Sequence, residues 1–136
     1  MLVEEVMTGS VVTLGPDETL RDAINLLRSK RIRHLPVVEE RKLVGIVTDR
    51  DVKRATPSVL SGVAEEEYDN ALVTIRVAQF MTREPITVSG KSQLKAAVEI
   101  FIDKKVGALP VVDNGHLIGI LTEIDILKVA HNLLSD

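Results

Sequence analysis

Residues Leu43–Asp51 read L-V-G-I-V-T-D-R-D, and the fold follows from this stretch. The apolar run at its start is short and rich in Val and Ile, which is typical of a buried strand. Thr48 and Asp51 have the spacing of a helix start. A threonine at the N-cap accepts a hydrogen bond from the backbone N–H three residues later, and an acidic side chain at that later position accepts one from the backbone N–H of the cap. The stretch predicts a strand, a tight turn and a helix whose first turn presents a hydroxyl beside a carboxylate.

The same pattern occurs a second time, at Leu117–Asp125, as L-I-G-I-L-T-E-I-D. Asp125 lies 74 residues after Asp51 (125 − 51), and this offset aligns the two halves of the chain without gaps. It pairs Met7-Thr8 with Met81-Thr82, and Leu35–Val38 with Leu109–Val112. Ungapped matches in clusters of this kind indicate an internal duplication.

Both copies predict the same order of elements, β-α-β-β-α. An amphipathic helix begins at Leu20 in the first copy and at Leu94 in the second, since apolar residues follow at i+3, i+4 and i+7. A closing helix follows each Thr-x-x-Asp, and the second runs from Glu123 to about Leu134. The other predicted strands are Val11–Leu14 and Leu35–Val38 in the first copy, and Ile86–Val88 and Leu109–Val112 in the second.

A small sheet with helices on one face leaves apolar surface that a single copy cannot cover. We therefore predict an α+β fold in which two β-α-β-β-α repeats pack through their sheets and are related by a pseudo-two-fold axis. Residues 1–55 form the first repeat and residues 77–136 the second. Residues 56–76 connect them, and their acidic, helix-favouring centre predicts a helical linker.

The composition argues against several classes of function. The chain has a net charge of −3 and only three aromatic residues, so it has neither the basic surface nor the stacking rings of a general nucleic-acid binder. It has no cysteine, and its three histidines lack the spacing of a metal site. Its N-terminus does not resemble a secretory signal, and no run of about 18 apolar residues could cross a membrane. We expect a cytoplasmic protein with neither nucleic-acid nor membrane partners.

The two Thr-x-x-Asp motifs have two possible meanings on their residues alone. Each could simply be a capping box, which is the ordinary role of such a spacing. Each could also form a ligand site, because free N–H groups at a helix N-terminus bind phosphate and an acid in the first turn can accept from ribose hydroxyls. Spacing does not decide between the cap and the nucleotide site.

Taken together, the motifs resemble a tandem pair of cystathionine-β-synthase-type (CBS) domains, the Bateman module. The first repeat supplies V-M-T, V-V-T-L, R-H-L-P-V-V and G-I-V-T-D-R-D, and the second supplies F-M-T, I-T-V, G-A-L-P-V-V and G-I-L-T-E-I-D. The resemblance covers essentially the whole chain. The linker and spacing are similar to those of stand-alone prokaryotic CBS pairs, including the CBS part of acetoin-utilisation-type proteins.

The resemblance implies a binding site for an adenosine-containing ligand in clefts between the two repeats. AMP, ADP and ATP are the leading candidates, S-adenosylmethionine or NAD are secondary ones, and no cofactor or metal is required. Asp51 and Asp125 would hold the ribose, with Thr48 and Thr122 near the phosphate. The adenine would lie near Val12, Thr13, Ile86 and Thr87 of the early strands, near Ile32, Arg33, His34, Val106, Gly107 and Ala108, and beside Ile46 and Ile120.

The two implied clefts are composite and should differ in charge. Arg33-His34 in the first repeat stands where the second has Gly107-Ala108, and Arg50 stands where the second has Ile124. By the geometry of the family, the Asp125 cleft would borrow Arg33 and His34 from the first repeat, while the Asp51 cleft keeps Arg50. We therefore expect the Asp125 cleft to be the better polyphosphate site. The alternative for these cations is a surface turn or a solvated helix face.

The function implied by the resemblance is that of a non-catalytic regulatory module, a homodimer that senses an adenine nucleotide and signals to an unidentified protein. A structural dimerisation module with vestigial clefts is the alternative. An enzyme, such as a nucleotide hydrolase, is the third hypothesis, although the sequence suggests neither a nucleophile with its base nor a phosphate-binding glycine loop.

Overall fold

A computed structural model of the chain describes residues 1–58, 60 and 62–134. The fold is α+β, as the repeats predict. The helices are α1 (Leu20–Ser29), α2 (Asp49–Ala55), α3 (Glu65–Thr74), α4 (Val77–Phe80), α5 (Leu94–Lys104) and α6 (Glu123–Leu133), with a 3-10 turn at Val3–Glu5. The strands are β1 (His34–Glu39), β2 (Lys42–Thr48), β3 (Thr82–Arg83), β4 (Val88–Ser89), β5 (Ala108–Asp113) and β6 (His116–Thr122).

The chain forms two compact units, and these divide it differently from the repeats of the sequence. Unit 1 contains Met1–Val11, Arg41–Leu43 and Pro85–Asp136, and unit 2 contains Val12–Glu40 and Val44–Glu84. The first eleven residues therefore belong to the unit that holds most of the second repeat. Residues 77–84, at the start of the second repeat, belong to the unit that holds most of the first. Helix α3 lies within the segment predicted to be a helical linker.

In unit 2, β1 and β2 are neighbouring strands, and β3 pairs antiparallel with β2. The predicted strand Val11–Leu14 is shorter than expected, because only Leu14 bridges to β1, in parallel with Val37. Gly15 and Pro16 follow at once, and a proline has no N–H with which to continue the pairing. The core of the unit is aliphatic and includes Leu14, Ala23, Leu35, Val37, Val47 and Val77.

In unit 1, β5 pairs antiparallel with β6 and parallel with β4. Strand β4 begins two residues later than the predicted strand Ile86–Val88. The β5–β6 hairpin turns at Asn114 and Gly115, both with positive φ, which suits the twist of two strands joined by a short loop. Lys42, at the start of β2, also belongs to this unit and pairs with His116. The core includes Val3, Leu94, Ala97, Leu109, Val111 and Leu121.

Helices α1 and α5 confirm the predicted apolar spacing. The first two apolar positions of each helix are buried, namely Leu20 and Ala23 in α1 and Leu94 and Ala97 in α5. Thr19 caps α1 in a box with Asp22, so α1 begins with the same chemistry as the helices of the two signature motifs. No helix in the described part of the chain is long and apolar enough to cross a membrane.

Two glycines allow the Met-Thr segments to lie directly against the signature strands. A Cβ atom on Gly119 would stand 2.5 Å from the Met7 sulfur and 2.9 Å from the Thr8 carbonyl oxygen. A Cβ atom on Gly45 would stand 2.6 Å from the Met81 sulfur and 2.9 Å from the carbonyl oxygen of Thr82. Both glycines therefore mark a close approach of one backbone segment to another.

We predict that Gly119→Ala destabilises the fold by about 1–3 kcal/mol, since the added methyl group overpacks a site bounded by backbone as well as by a flexible side chain. Urea denaturation measures the effect. Gly9→Ala is the matched control, because a Cβ there meets nothing within 4 Å, and its midpoint should move little. Equal midpoints for the two variants would contradict the close-approach interpretation.

Candidate functional site

The second signature motif, at the junction of β6 and α6, forms a capping box. The Thr122 N–H donates to Oδ2 of Asp125 at 2.9 Å, and the Asp125 N–H donates to the Thr122 hydroxyl at 3.4 Å. The Thr122 hydroxyl also lies 3.3 Å from the same Oδ2. Asp125 is only 9% exposed and is the one buried charged side chain among the described residues. The helix start is therefore both capped and built around a desolvated carboxylate.

Thr8 completes this group in unit 1. Its backbone exchanges two hydrogen bonds with Ile120 of β6, each 2.9 Å long. Its hydroxyl donates to Oδ1 of Asp125 at 3.3 Å, so the two carboxylate oxygens accept from different threonines. The buried carboxylate thus has three side-chain and backbone donors from Thr8 and Thr122.

Unit 2 repeats the arrangement at the junction of β2 and α2. The Thr48 N–H donates to Oδ2 of Asp51 at 2.9 Å, and the Asp51 N–H donates to the Thr48 hydroxyl at 3.1 Å. Thr82 of β3 takes the place of Thr8, with its hydroxyl 3.3 Å from both oxygens of Asp51. Asp51 is half-buried, so this carboxylate is more accessible to water than Asp125.

The segments ahead of the L-P-V-V strands also lie at the helix starts. The Asp49 N–H, the first of α2, donates to the carbonyl of Arg33 at 3.2 Å, and the Glu123 N–H, the first of α6, donates to that of Gly107 at 3.4 Å. Each unit therefore brings one predicted segment, residues 32–34 or 106–108, to its own Thr-x-x-Asp motif. In each case one helix N–H is used by the protein itself.

The early-strand residues proposed to contact adenine lie where their strands approach L-P-V-V. Val12 is half-buried and Thr13 is exposed, and both lead into the bridge between Leu14 and β1. Thr87 is half-buried and Ile86 is 41% exposed, and both precede β4 on the edge of β5. Within the described part of the chain, none of these residues hydrogen-bonds to the Asp51 or Asp125 side chain.

Ile46 and Ile120 are buried and pair through their backbones with Thr82 and Thr8, respectively. Their backbones hold the segments that carry Thr82 and Thr8 against β2 and β6.

The charges around the two motifs differ, as their sequences imply. Arg33 and Arg50 are exposed and both belong to unit 2, together with Asp51 and His34. The corresponding positions in unit 1 are Gly107 and Ile124, and neither can attract a phosphate. It stays a prediction that an Asp125 cleft includes Arg33 and His34, because this depends on the composite geometry that the family resemblance implies.

Thr8 and Thr82 are site residues that the sequence analysis missed. A signal for them existed, because Met7-Thr8 and Met81-Thr82 match at the 74-residue offset. The local pattern does not show that each of these threonines donates to a carboxylate more than 30 residues away in the chain. Only the pairing of their segments with β6 and β2 brings them to Asp125 and Asp51.

Other chemistry finds little support in the described part of the chain. No group of three or more His, Cys, Asp or Glu side chains there could hold a metal ion. The pKa of Lys91 is raised by its hydrogen bond to Glu4 and by the negative charge of that group. This exposed ion pair fixes the N-terminal 3-10 turn and is not part of either Thr-x-x-Asp group.

Comparison with known proteins assigns the repeats to a family. The CBS domain family matches residues 3–58 and 77–132, which are the two repeats. The chain is 35% identical to a CBS domain-containing protein of Dictyostelium discoideum, over 98% of this chain and 94% of that protein. It is also 38% identical to inosine-5′-monophosphate dehydrogenase of Methanocaldococcus jannaschii, but spans only 23% of that enzyme.

Solved structures of similar proteins have the same fold over almost their whole length. A putative acetoin utilization protein, AcuB, of Vibrio cholerae has a TM-score of 0.85 at 33% identity, covering 98% of this chain and 94% of that one. CBSX2 in complex with AMP has a TM-score of 0.81 at 30% identity, covering 98% of both chains. The CBS domain pair of MJ0100, in complex with 5′-methylthioadenosine and S-adenosyl-L-methionine, has a TM-score of 0.79 at 25% identity and the same coverage.

Proposed function

Because the chain belongs to the CBS family and carries two CBS domains in tandem, we propose that it is a non-catalytic regulatory module for an adenosine-containing ligand. The ligand is an adenine nucleotide (AMP, ADP or ATP), bound in clefts between the repeats at the Thr-x-x-Asp motifs. Ligand binding is signalled to a protein partner in the cytoplasm. The proposal rests on one observation: each unit holds an aspartate carboxylate that accepts hydrogen bonds from two threonines. The chain is also similar to CBSX2, which has been solved in complex with AMP.

The chemistry of the group suits a ribose phosphate. An ionised carboxylate only accepts hydrogen bonds, and each oxygen has room for about two. Oδ1 of Asp125 accepts one bond from Thr8 and therefore can accept another from a ribose hydroxyl. The positive end of the helix dipole at the start of α6 favours a nearby phosphate. Hydrogen bonds to a charged group, worth about 1.5–3 kcal/mol each, are strong enough to select a diol.

The carboxylates of Asp51 and Asp125 would recognise the ribose, which every adenosyl compound carries. The MJ0100 domain pair is in complex with 5′-methylthioadenosine and S-adenosyl-L-methionine, and these ligands carry the same adenosine without a phosphate. Recognition of the ribose by Asp51 and Asp125 would serve either class. The cations Arg33 and Arg50 favour the phosphorylated class, which is why adenine nucleotides lead the proposal.

The proposed module acts through binding and not through turnover. Oδ2 of Asp125 is engaged in the helix cap, and the hydroxyls of Thr122 and Thr8 donate to the two oxygens of this carboxylate, which holds them in a structural role. Relatives that are enzymes, such as inosine-5′-monophosphate dehydrogenase, are about four times as long as the part of them that this chain spans. We therefore expect no release of phosphate from ATP above the rate in buffer.

We also propose that the active form is a homodimer. The outward face of α6 is apolar, with Ile124 and Leu127 about 60% exposed, and a shallow groove runs along it beside Lys128 and His131. Glu123 and His131 lie four residues on either side of Leu127. Two copies of α6 packed antiparallel about Leu127 would therefore place Glu123 opposite the partner's His131, and such self-complementarity suits a two-fold interface.

A purely structural dimerisation module is the competing function. It shares the α6 interface but has no ligand, so the Thr-x-x-Asp motifs would serve only as helix caps. Ligand binding, and not the oligomeric state, separates the two functions.

We predict that an adenine nucleotide at a hundred times its dissociation constant stabilises the protein by about 2.7 kcal/mol. Thermal shift and calorimetry with AMP, ADP, ATP, S-adenosylmethionine and NAD measure the effect. Asp51→Ala or Asp125→Ala should reduce the shift, and the double variant should abolish it, because no carboxylate remains to bind the ribose.

Asp22→Ala is the matched control for these variants. Asp22 forms the same capping box with Thr19 but has no second threonine at its carboxylate and no proposed ligand. Its loss should lower stability by about 1 kcal/mol, as expected for a helix cap, and leave the ligand shift intact. A shift that persists in the double variant would place the ligand elsewhere, and no shift with any compound would support the structural module.

We predict that Leu127→Asp converts the dimer to a monomer, because it places two carboxylates at the centre of an apolar two-fold contact. Analytical ultracentrifugation measures the change. Leu60→Asp is the control, since Leu60 is fully exposed and lies outside α6, and this variant should stay dimeric. A Leu127→Asp protein that sediments as a dimer would show that the α6 face is not the interface.

A further inference from the structure

The N-terminal segment, residues 1–11, is held in unit 1 by backbone pairing and by apolar contact. The 3-10 turn buries Val3 completely, and Met7 lies against Gly119. Three backbone hydrogen bonds of 2.8–3.0 Å hold the start of the segment: Val3 N–H to Ser92, Glu4 N–H to Gly90, and Leu94 N–H to Met1. The segment is therefore a docked element with a defined position on unit 1.

The docked segment determines where Thr8 lies. The two backbone hydrogen bonds between Thr8 and Ile120 leave its main chain no freedom to slide along β6. Gly119 admits the backbone of Thr8 because it has no Cβ. The side chain of Thr8 is exposed, yet its hydroxyl lies within hydrogen-bond distance of the buried Asp125 carboxylate.

The two carboxylate oxygens of Asp125 have different hydrogen-bond partners. Oδ2 accepts from the backbone N–H and the hydroxyl of Thr122, and these bonds form the helix cap. Oδ1 takes no part in the cap and accepts from Thr8 alone among the described residues. Because a carboxylate oxygen has about two lone-pair sites, Oδ1 is the atom that remains for a ligand. The carboxylate could otherwise rotate about its Cβ–Cγ bond. The hydrogen bond from Thr8 restrains this rotation and keeps Oδ1 in place.

We propose that Thr8 is a positioning residue of the Asp125 ligand site, which it controls by holding Oδ1 in place from the docked N-terminal segment. The inference rests on the proposed function, because it concerns the same carboxylate. It goes beyond that function in linking ligand affinity to the docking of residues 1–11. By linkage, a ligand that binds better when the segment is docked must favour docking by the same factor.

This coupling would let residues 1–11 report the occupancy of the site. We expect the coupling to be stronger at Asp125 than at Asp51. Asp125 is buried and Asp51 is half-buried, and a hydrogen bond is electrostatically stronger where less water surrounds it. Occupied protein should therefore protect the Thr8 and Ile120 amides from hydrogen exchange more than empty protein does.

The test measures AMP binding by calorimetry in an Asp51→Ala background, so that only the Asp125 site remains. Thr8→Val keeps the branched shape but removes the hydroxyl, and we expect about tenfold weaker binding, the loss of one ordinary hydrogen bond. Thr8→Ser restores the hydroxyl and should recover most of the affinity. Thr19→Val is the matched control, because it also removes a hydroxyl that donates to an aspartate, Asp22, but lies outside both proposed sites, and it should leave the affinity unchanged.

A second readout separates failure of this inference from failure of the proposed function. Thr8→Val, Asp125→Ala and the double variant form a cycle of urea midpoints that needs no ligand. We expect non-additivity, with Thr8→Val lowering the midpoint much less once Asp125 is absent. If AMP binds no variant, the proposed function fails and the cycle alone decides whether Thr8 acts on Asp125. Additive midpoints, or AMP binding unaffected by Thr8→Val, would overturn the positioning role.

Discussion

The structure depends on the close contact between each Met-Thr segment and a glycine of the signature strand. A side chain at Gly45 or Gly119 would collide with a backbone carbonyl at 2.9 Å, so the pairing of these segments with β2 and β6 requires glycine. The pairing in turn exchanges segments between the halves of the sequence. Residues 1–11 complete unit 1, and residues 77–84 complete unit 2. The exchange brings Thr8 to Asp125 and Thr82 to Asp51.

Each aspartate of the signature motifs serves local structure and is available for a ligand at the same time. A capping box contributes about 1 kcal/mol to a helix start. A nucleotide well above its dissociation constant contributes more than twice that. The two roles are compatible because they use different oxygens of Asp125, Oδ2 for the cap and Oδ1 for Thr8 and the proposed ribose. Asp22 of α1 forms the cap alone, because no second threonine reaches its carboxylate.

Local chemistry in the sequence was sufficient to predict most elements of the fold. The apolar spacing from Leu20 and Leu94 and the Thr-x-x-Asp caps act over a few residues, and the structure confirms both. The 74-residue offset then transferred each local pattern from one repeat to the other. The predicted strand Val11–Leu14 was too long at its start, because only Leu14 bridges to β1, and Gly15-Pro16 prevents the pairing from continuing after it. The partners of Thr8 and Thr82 could not be predicted, since no local pattern specifies which distant strand a two-residue segment joins.

If the Asp51 and Asp125 carboxylates bind the ribose hydroxyls, AMP and 2′,3′-dideoxy-AMP must differ in affinity. Calorimetry would give the ratio of their dissociation constants for the wild type and for the Asp51→Ala and Asp125→Ala variants. We expect the dideoxy compound to bind wild-type protein at least about tenfold more weakly, because it loses one or more hydrogen bonds to a charged group. The ratio should fall toward one at the site whose aspartate is removed. Equal affinity of the two nucleotides for wild-type protein would contradict ribose binding by these carboxylates.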